Sequence, residues 1–268
     1  MEALFNNHMI ADEITMKISD RAFQFGDGLF ETIAVVNQKP LFLTYHLERL
    51  QKGAQILKLT LPDSILTNAA GQIATVINAN KVTDASIKVM VWRKPSAGKG
   101  FDNSTSQCNF LIICRLAPVS ISILNNVSFA EHIYFQYSTL SSIKTLNALP
   151  YILAANEKIS KGLDEIIVLN DKGFVCECPS SNIFWITNGT YYTPPITSGC
   201  LDGVTRRVII ERLNQAGISF KEALITKEEL LEASTIFTTN SSGIKYIARI
   251  DNTSFDTTRI ELLNGIFN

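Results

Sequence analysis

Strand-like runs that come in consecutive pairs place the strongest limit on the fold of this chain. In the second half, DEIIVLN is followed by the turn DKG and then FVCEC, and NIFWIT is followed by NG and then TYYTP. Short polar turns containing glycine between such runs are typical of antiparallel hairpins. In the first half, FETIAVV and PLFLT flank the turn NQK and predict another hairpin. Runs of strands with helices between them favour an α+β fold.

Helices are predicted on both sides of these hairpins. Leu47, Leu50 and Ala54 repeat at helical spacing and predict a helix from about residue 44, and DSILTNAAGQIATVINAN predicts the next one. The segments SIKVMVWR and CNFLIICRL that follow are predicted strands. In the second half we predict a helix between Asn147, as its cap, and Gly162. Further helices are predicted at residues 204–216 and 227–232.

A change of pattern near residues 117–126 predicts a boundary between two subdomains. An apolar strand gives way there to PVSISILNN, and the strand-like run VSFAEHIYF opens the second half. We therefore divide the chain into a first domain at residues 1–117, a linker at 118–126 and a second domain at 127–268.

Composition narrows the classes of function. The 268 residues are 46% hydrophobic and 18% charged, which supports a sizeable core and argues against disorder. The net charge of −1 gives no reason to expect nucleic acid or a membrane surface as a partner, so a small-molecule site is the better expectation. The first 30 residues show no signal peptide, and no apolar stretch approaches the roughly 20 residues of a membrane helix.

Cysteine and histidine usage bears on the redox compartment and on metal binding. Five cysteines in a chain with no visible signal peptide predict reduced, buried thiols and a cytoplasmic protein. Strand alternation predicts that Cys176 and Cys178 share one face. The three histidines are far apart in the sequence, so no metal site is predicted.

Lys144 and Glu177 are candidate catalytic side chains. Lys144 lies in SSIKTLNALP, between a Ser-rich loop and a predicted helix, where it is either solvated charge or an amine at the mouth of a pocket. Alternation along GFVCECP puts Glu177 on the face opposite Cys176. A carboxylate in mid-strand faces either solvent or a cationic partner, because acidic residues are rarely buried unpaired.

Two turns and one arginine suit a phosphate group. The first turn leads into a predicted helix, whose free N–H groups attract anions, and it comprises Gly203, Val204 and Thr205. The second is either a tight turn or an anion-binding concavity, and it is TTNSSG at residues 238–243, with Asn240 and Ser241 at its centre. Arg49 lies off the apolar stripe of its helix and is either solvated or a phosphate ligand.

Together these features match the needs of one cofactor. Pyridoxal 5′-phosphate uses a lysine for a Schiff base, an acid for its pyridine nitrogen and groups that cradle its phosphate. The chain offers Lys144, Glu177, Arg49 and the two phosphate-suited turns. We therefore predict pyridoxal 5′-phosphate as the cofactor and a small-molecule amine as the substrate.

The order of these motifs resembles that of the fold-type IV pyridoxal-phosphate enzymes, the class IV aminotransferase family. The matching segments, in the family's order, are DRAFQFGDGLFET, YHLERL, IKTLNALPYILAANEKISKGLDEIIVLNDKGFVCECPSSNIFWI, YYTPPITSGCLDGVTR and TTNSSGI. The resemblance spans most of the chain. It implies a smaller N-terminal α/β domain, a larger C-terminal mixed β domain with helices, and a homodimer.

The resemblance also implies a role for each motif residue. Lys144 is then the Schiff-base lysine, Glu177 the acid that faces the pyridine nitrogen, and Arg49 a phosphate ligand. Leu201 packs on the cofactor ring, and Asn182 lies in the family's SSN segment with its role left open. The remaining cofactor contacts are Gly203, Val204, Thr205, Asn240 and Ser241.

Shorter segments bear on the subclass. KTLNALP is similar to the lysine, leucine, asparagine pattern of the 4-amino-4-deoxychorismate lyases, and GKGF to their glycine-basic-glycine-aromatic stretch. WRKPSAGKGFD lacks the histidine of D-amino acid aminotransferases, and TTNSSGI lacks the GTAAE of the branched-chain enzymes. We therefore favour the lyase, which releases pyruvate and forms 4-aminobenzoate for folate synthesis. The alternatives are a class IV aminotransferase acting on D-amino acids or branched-chain L-amino acids and, more remotely, a non-catalytic pyridoxal-phosphate-binding protein.

The lyase substrate carries two carboxylates, so cations are expected beside it. Arg93 and Lys99 are the candidates, and a solvated loop is their alternative interpretation. Phe30, at the end of GDGLF, either lines the pocket or packs in the core.

Overall fold

The computed structural model describes residues 1–11, 13–97, 100–116 and 119–267. Helices and sheets together confirm the predicted α+β class. The chain divides into two units, of which the first contains Met1–Pro118 and Ile143–Asn147, and the second contains Val119–Ser142 and Ala148–Asn268. The short segment Ile143–Asn147 therefore belongs to the first unit, although the predicted division places it in the second domain.

The first unit is built on an antiparallel six-stranded sheet. Its strands, in sheet order, are β2 (His8–Ile10), β1 (Ala3–Phe5), β6 (Cys108–Arg115), β5 (Ala85–Arg93), β3 (Gly28–Val36) and β4 (Lys39–Pro40). Its helices are α1 (Arg21–Phe25), α2 (Leu43–Leu57) and α3 (Asp63–Asn80). Alternate residues of β5, including Ile87 and Val89, belong to the same buried cluster as Leu50 of α2 and Ile73 of α3. The two longer helices therefore supply the apolar cover for the sheet that carries this unit's candidate residues.

The predicted strand PLFLT is wrong beyond Pro40. β4 ends at Pro40, and the N–H of Leu41 donates one more bond, to the carbonyl of Ala34 in β3 at 2.8 Å. The chain then turns through Phe42, which has a φ of 53°, and α2 begins at Leu43. The predicted helix from about residue 44 starts one residue earlier in the structure, and the predicted strands SIKVMVWR and CNFLIICRL are confirmed as β5 and β6.

The second unit contains two sheets. The five-stranded sheet consists, in sheet order, of β10 (Val175–Glu177), β9 (Glu165–Asn170), β8 (Val127–Phe135), β16 (Arg249–Ile250) and β17 (Thr253–Ser254). The six-stranded sheet consists, in sheet order, of β13 (Phe220–Glu222), β12 (Thr190–Thr193), β11 (Asn182–Thr187), β14 (Thr235–Asn240), β15 (Gly243–Ile247) and β7 (Ser120–Leu124). The predicted hairpins β9–β10 and β11–β12 are both confirmed as antiparallel pairs. Since β7 pairs with β15, part of the segment predicted as a linker is a strand of this sheet.

The helices of the second unit follow the predicted positions closely. They are α4 (Leu149–Ser160), α5 (Val204–Gln215) and α6 (Lys227–Leu230). The cap of α4 is Ala148 and not the predicted Asn147, and Pro150 lies in the first turn, where its missing N–H loses no bond. The chain leaves α4 through Gly162, whose φ of 64° is the left-handed conformation that glycine adopts after a helix.

A β-bulge in β10 overturns the predicted alternation of side chains. The pairing of β10 with β9 shifts between Val175 and Glu177, so Cys176 is an extra residue in the ladder. Cys176 packs in one buried cluster of the second unit and Cys178 in another. The prediction that these two thiols share a face is therefore wrong, because alternation holds only where the ladder is regular.

All five cysteines are buried and form no disulfide, as predicted. Across the described ranges, no helix has both the length and the apolar character required to span a membrane. The same residues contain no group of three or more His, Cys, Asp or Glu side chains that could bind a metal ion.

Candidate active site

The segment that carries Lys144 lies along the first residues of β3 in the first unit. The N–H of Phe30 donates to the carbonyl of Lys144 at 2.8 Å, and the N–H of Leu146 donates to the carbonyl of Gly28 at 2.9 Å. Both bonds tie the segment to a sheet strand. The lysine side chain therefore extends from a backbone that the sheet holds in place, as a precise site requires.

Gly28 allows this segment to approach the strand. A Cβ at Gly28 would lie 2.5 Å from the carbonyl oxygen of Val91 and 2.7 Å from Cδ1 of Leu146. The first of these is a backbone atom inside the sheet, so it cannot move aside cheaply. The second glycine of GDGLF, Gly28, is therefore explained by packing, because the segment that bears Lys144 approaches it closely.

The amine of Lys88, on β5, lies close to the ring of Phe30, and so does the amine of Lys144. The Nζ of Lys88 lies 4.4 Å from the ring centroid, and the Nζ of Lys144 lies 4.6 Å from it, both within cation–π distance. Burial, and then the charge of Arg115, lower the pKa of the Lys88 amine. No motif pointed to Lys88, although a lysine inside the apolar strand SIKVMVWR is a signal that could have identified it.

The Arg93 side chain is held by hydrogen bonds within the first unit. Its Nε donates to Asp27 Oδ2 at 2.9 Å, and Arg21 Nε donates to the same oxygen at 2.7 Å. The Arg93 guanidinium also donates to the backbone carbonyls of Leu57, Lys58 and Thr105. This geometry favours a structural role for Arg93, and its predicted contact with substrate stays a prediction. Lys99, the other predicted cation, lies outside the described residues.

Arg49 is held by a buried carboxylate. Its Nε donates to Glu31 Oε1 at 2.8 Å and its Nη2 to Oε2 at 2.6 Å, and the Arg49 side chain is only 9% exposed. His46 Nδ1 lies 2.7 Å from the same Oε2. Burial alone would raise the pKa of Glu31, but Arg49 and His46 outweigh burial and lower it to about 2. Arg49 is therefore an oriented guanidinium and not a solvated one.

Glu177 is buried on β10, with 2% of its surface exposed. Tyr151 Oη donates to Oε1 of this carboxylate at 3.1 Å, and Asn182 Nδ2 donates to Oε2 at 3.2 Å. The alternative that Glu177 sits on a solvent-exposed face is therefore excluded. Tyr151 was not among the predicted residues, because it lies 26 positions away and no local pattern joins it to the acid.

The amide of Asn182 also reaches the start of α5. Its Nδ2 donates to the carbonyl of Leu201 at 2.8 Å, and its Oδ1 occupies space 1.8 Å from where a Cβ of Gly203 would lie. Gly203 is the cap residue and has no side chain to cover the helix end. The N–H groups of Val204 and Thr205 begin a 12-residue helix, whose positive end suits a phosphate.

The turn after β14 contains Asn240 and Ser241. Asn240 accepts the N–H of Ser242 at 2.8 Å and donates to the carbonyl of Ser180 at 3.0 Å, which fixes the turn. The hydroxyl of Thr239, one residue earlier, is buried and has no hydrogen-bond partner among the described residues. Buried hydroxyl groups are normally bonded, so this one fits an acceptor supplied by a ligand.

The groups in each unit fit pyridoxal 5′-phosphate. The first unit offers the amine of Lys144 and the oriented guanidinium of Arg49. The second unit offers the buried Glu177 carboxylate, the uncapped start of α5 and the Thr239 hydroxyl. A primary amine, an acid and several phosphate donors are the set that this cofactor uses.

Comparison with known proteins defines the class. The family described as Amino-transferase class IV matches residues 28–250. The chain therefore belongs to the class IV aminotransferase family, whose members are pyridoxal-phosphate-dependent enzymes. The predicted family, fold class and cofactor are all confirmed.

The similar proteins are named for more than one kind of reaction. The chain is 28% identical over 249 residues to D-alanine aminotransferase of Bacillus licheniformis, which covers 91% of this chain and 86% of the relative. It is 30% identical over 233 residues to aminodeoxychorismate lyase of Bacillus subtilis, covering 83% of this chain and 76% of the relative. A crystal structure from Legionella pneumophila, described as a candidate 4-amino-4-deoxychorismate lyase, has a TM-score of 0.85 and 27% identity and covers 92% of this chain and 91% of that one.

Proposed function

We propose that this protein is a 4-amino-4-deoxychorismate lyase that forms 4-aminobenzoate for folate synthesis. The observation that carries the proposal is the pair of lysines on Phe30, which puts the cation of Lys88 against the same ring as the amine of Lys144. The lyase substrate bears one carboxylate on its ring and a second on its enolpyruvyl group. A second cation against the ring that the reacting amine contacts suits such a dianion, and the lyases among the similar proteins support the same reaction.

Lys144 has the central task in this reaction. It would hold the cofactor covalently at rest, give way to the substrate amine, and regain its bond when the product amine leaves. In between, its free amine would accept the proton from the ring carbon that bears the substrate amine. The C–O bond to the enolpyruvyl group breaks, and Lys144 returns a proton to the departing group, which leaves as pyruvate while the ring becomes aromatic. The bound cofactor supplies an electron sink for the proton removal. No water or second substrate is consumed, so the atoms balance.

The other residues hold the cofactor and its charge. Glu177 keeps a proton on the pyridine nitrogen, and Leu201 packs against the ring. Arg49 binds the phosphate through a guanidinium that Glu31 orients. The remaining phosphate contacts are the helix start at Gly203, Val204 and Thr205 and the turn at Asn240 and Ser241.

We also propose that the protein is a cytoplasmic homodimer. Ile152 and Leu153 of α4 are each 51% exposed and Ile159 is 70% exposed, an apolar stripe that suits contact with a second copy. The five unbridged cysteines suit a reducing compartment. Sedimentation of the purified protein tests the dimer, because one chain has a mass of 29.7 kDa and a dimer has twice that mass.

The first alternative function is an aminotransferase acting on D-amino acids or branched-chain L-amino acids. The similarity to D-alanine aminotransferase supports it. A non-catalytic pyridoxal-phosphate-binding protein is the more distant alternative, and the buried acid, the lysine and both phosphate-suited turns argue against it.

A single comparison of substrates separates these functions. Purified, cofactor-loaded protein receives enzymatically generated aminodeoxychorismate, and 4-aminobenzoate fluorescence and pyruvate are followed. Parallel samples receive D-alanine, L-leucine or L-glutamate while the absorption band of the bound cofactor is recorded. Steady release of 4-aminobenzoate and pyruvate supports the lyase. Loss of the band with an amino acid, reversed by a keto acid, supports the aminotransferase and contradicts the lyase.

Two lysine variants test the assignment of the site. Lys144→Ala should abolish the absorption band of the covalently bound cofactor, and an unchanged band would refute its role. Lys88→Gln should raise KM for the lyase substrate by about ten-fold, because a charge-assisted contact is lost. Lys39→Gln, an exposed lysine of β4, is the matched control and should leave KM unchanged.

A further inference from the structure

Tyr151 connects α4 to Glu177, and none of the roles above uses this contact. The Tyr151 hydroxyl donates to Oε1 of Glu177 at 3.1 Å, while Asn182 donates to Oε2 at 3.2 Å. We infer that Tyr151 is a positioning residue, which fixes the Glu177 carboxylate and keeps it ionised toward the ring nitrogen of the cofactor. The inference rests on the proposed cofactor role of Glu177, and it holds for the lyase and the aminotransferase alike.

The ring of Tyr151 is held in place by its surroundings. Tyr151 is the third residue of α4, and its ring centroid lies 4.8 Å from that of Phe135 with a tilt of 55°. It packs against a buried cluster of the second unit that includes Ala154 and Ile166. A helical aromatic side chain packed in this way has little freedom about its torsions, so the hydroxyl keeps one position.

Tyr151 acts as a donor over a wide range of pH. Burial, and then the negative charge of Glu177, raise the pKa of its phenol far above the ordinary value. The hydroxyl therefore keeps its proton under all conditions in which the enzyme works. An ionised carboxylate only accepts hydrogen bonds, so the direction of the contact is fixed from Tyr151 to Glu177.

Three buried thiols lie close to Glu177 within the second unit. Cys176 and Cys178 flank it in the sequence, and Cys200 approaches it from the loop before α5. Burial raises the pKa of all three thiols, that of Cys200 to about 12, so they stay neutral at physiological pH. Hydrogen bonds from the neutral donors Tyr151 and Asn182 favour the charged form of the Glu177 carboxylate.

Loss of the Tyr151 hydroxyl should therefore weaken the function of Glu177 and not the fold. One carboxylate oxygen loses its donor in a buried place, which makes the acid more basic and less well oriented. A more basic Glu177 competes for the proton on the cofactor nitrogen. The proton distribution in the bound cofactor then changes, and the absorption of the cofactor reports that change.

Tyr151→Phe tests the inference, because it removes the hydroxyl and keeps the ring. In cofactor-loaded protein, kcat should fall about ten-fold while KM changes less than about two-fold. The pH midpoint of the cofactor absorption band should shift. The Kd of the cofactor, from absorbance titration of the cofactor-free protein, should rise about three-fold to ten-fold.

Tyr134→Phe is the matched control. Tyr134 is in the same unit, is 54% exposed, and its hydroxyl donates to the carbonyl of Glu131 at 3.3 Å. Its removal should leave kcat, the absorption band and the cofactor Kd at wild-type values. Thermal unfolding of both variants checks that the fold is intact.

The decisive measurement combines Tyr151→Phe with Glu177→Gln. If Tyr151 acts through Glu177, the second substitution should make the first one silent, with less than about two-fold further change in kcat. A full ten-fold loss in the Glu177→Gln background would overturn the inference. An unchanged absorption band and kcat in Tyr151→Phe alone would overturn it as well.

A second variant covers the case in which Tyr151→Phe does not fold. Incorporation of 3-fluorotyrosine at position 151 keeps the ring and the hydroxyl and makes that hydroxyl a stronger donor, so a shift of the pH midpoint opposite to that expected for loss of the hydroxyl supports the inference, and an unchanged midpoint refutes it. The absorption band and the cofactor Kd do not depend on which substrate turns over. Failure of the lyase assignment would therefore leave these two readouts intact, and the two failures can be told apart.

Discussion

Glu31 in the first unit and Glu177 in the second are both strand glutamates with 2% of their surface exposed, yet their partners differ in kind. Glu31 is bound by the guanidinium of Arg49 and by His46, which lower its pKa to about 2. Within the second unit, Glu177 accepts hydrogen bonds from Tyr151 and Asn182, both of which are neutral. A carboxylate paired with a cation has its charge satisfied within the protein and serves to hold that cation. A carboxylate held by neutral donors keeps its charge for a ligand.

The largest effect that tests this contrast is on catalysis. Glu177→Gln keeps the shape and removes the charge, so we expect turnover to fall about 10³-fold, because stabilisation of the cofactor's charge is lost. Thermal stability should change less than turnover, since a neutral amide can still bond to Tyr151 and Asn182. Steady-state kinetics test the expected loss of turnover, and thermal unfolding tests the expected stability. Full activity of the variant would contradict the proposed role of Glu177 in the mechanism.

Glu31→Gln should act mainly on stability. It removes the charge that pairs with Arg49, whose side chain is 9% exposed, and breaking a buried pair in this way costs about 3–5 kcal/mol. Urea unfolding followed by circular dichroism measures the loss. Glu13→Gln, at an exposed glutamate of the same unit, is the control. A Glu31→Gln protein as stable as wild type would contradict the assignment of Glu31 as a charge partner.

The same pair predicts how stability depends on pH. The pKa of Glu31 is about 2 in the folded protein and 4.5 in its ordinary state, so its contribution is complete above the ordinary value and is lost as the pH falls toward 2. Between pH 6 and pH 3 the loss should be about 2 kcal/mol. Urea unfolding at several pH values, with Glu31→Gln as reference, isolates this part, because the variant should lack it. Equal slopes in the two proteins would refute it.

The smallest effect is expected for His46→Gln. The variant removes the imidazole Nδ1 contact with Glu31, which a glutamine amide replaces at best in part, and leaves the two bonds from Arg49, so the loss of stability should be at most about 1 kcal/mol. The Kd of the cofactor should stay within about two-fold of wild type, because Arg49 remains oriented. If His46→Gln weakened cofactor binding as much as Glu31→Gln does, the orientation of Arg49 would depend on both partners equally.

Much of the fold could be predicted because its signals are local. The hairpins β9–β10 and β11–β12 have turn residues between apolar runs, and helices α2 and α3 have apolar spacing that needs no knowledge of neighbours. The predictions are wrong where pairing with a strand that is distant in the sequence determines the local structure. The bulge at Cys176 depends on the register of β9, and the end of β4 at Pro40 depends on which N–H groups β3 can pair.

The candidate residues divide in the same way. Lys144, Glu177 and the turns at Gly203 and Ser241 lie in motifs, so their chemistry could be inferred from short stretches of sequence. The contact of Tyr151 with Glu177 and that of Lys88 with Phe30 join residues that only the folded chain brings together. Arg93 shows the reverse case, since its guanidinium is enclosed by carbonyl groups that no motif could indicate.

The packing around Gly28 predicts how the protein tolerates substitution at this position. The residue has no reactive group, yet one added methyl would meet the carbonyl of Val91 and the side chain of Leu146. Because that methyl would push against the segment bearing Lys144, a missense change from glycine to alanine is expected to resemble loss of the lysine itself. Random mutagenesis should therefore return Gly28 among inactivating alleles, at a position that a survey limited to reactive side chains would pass over.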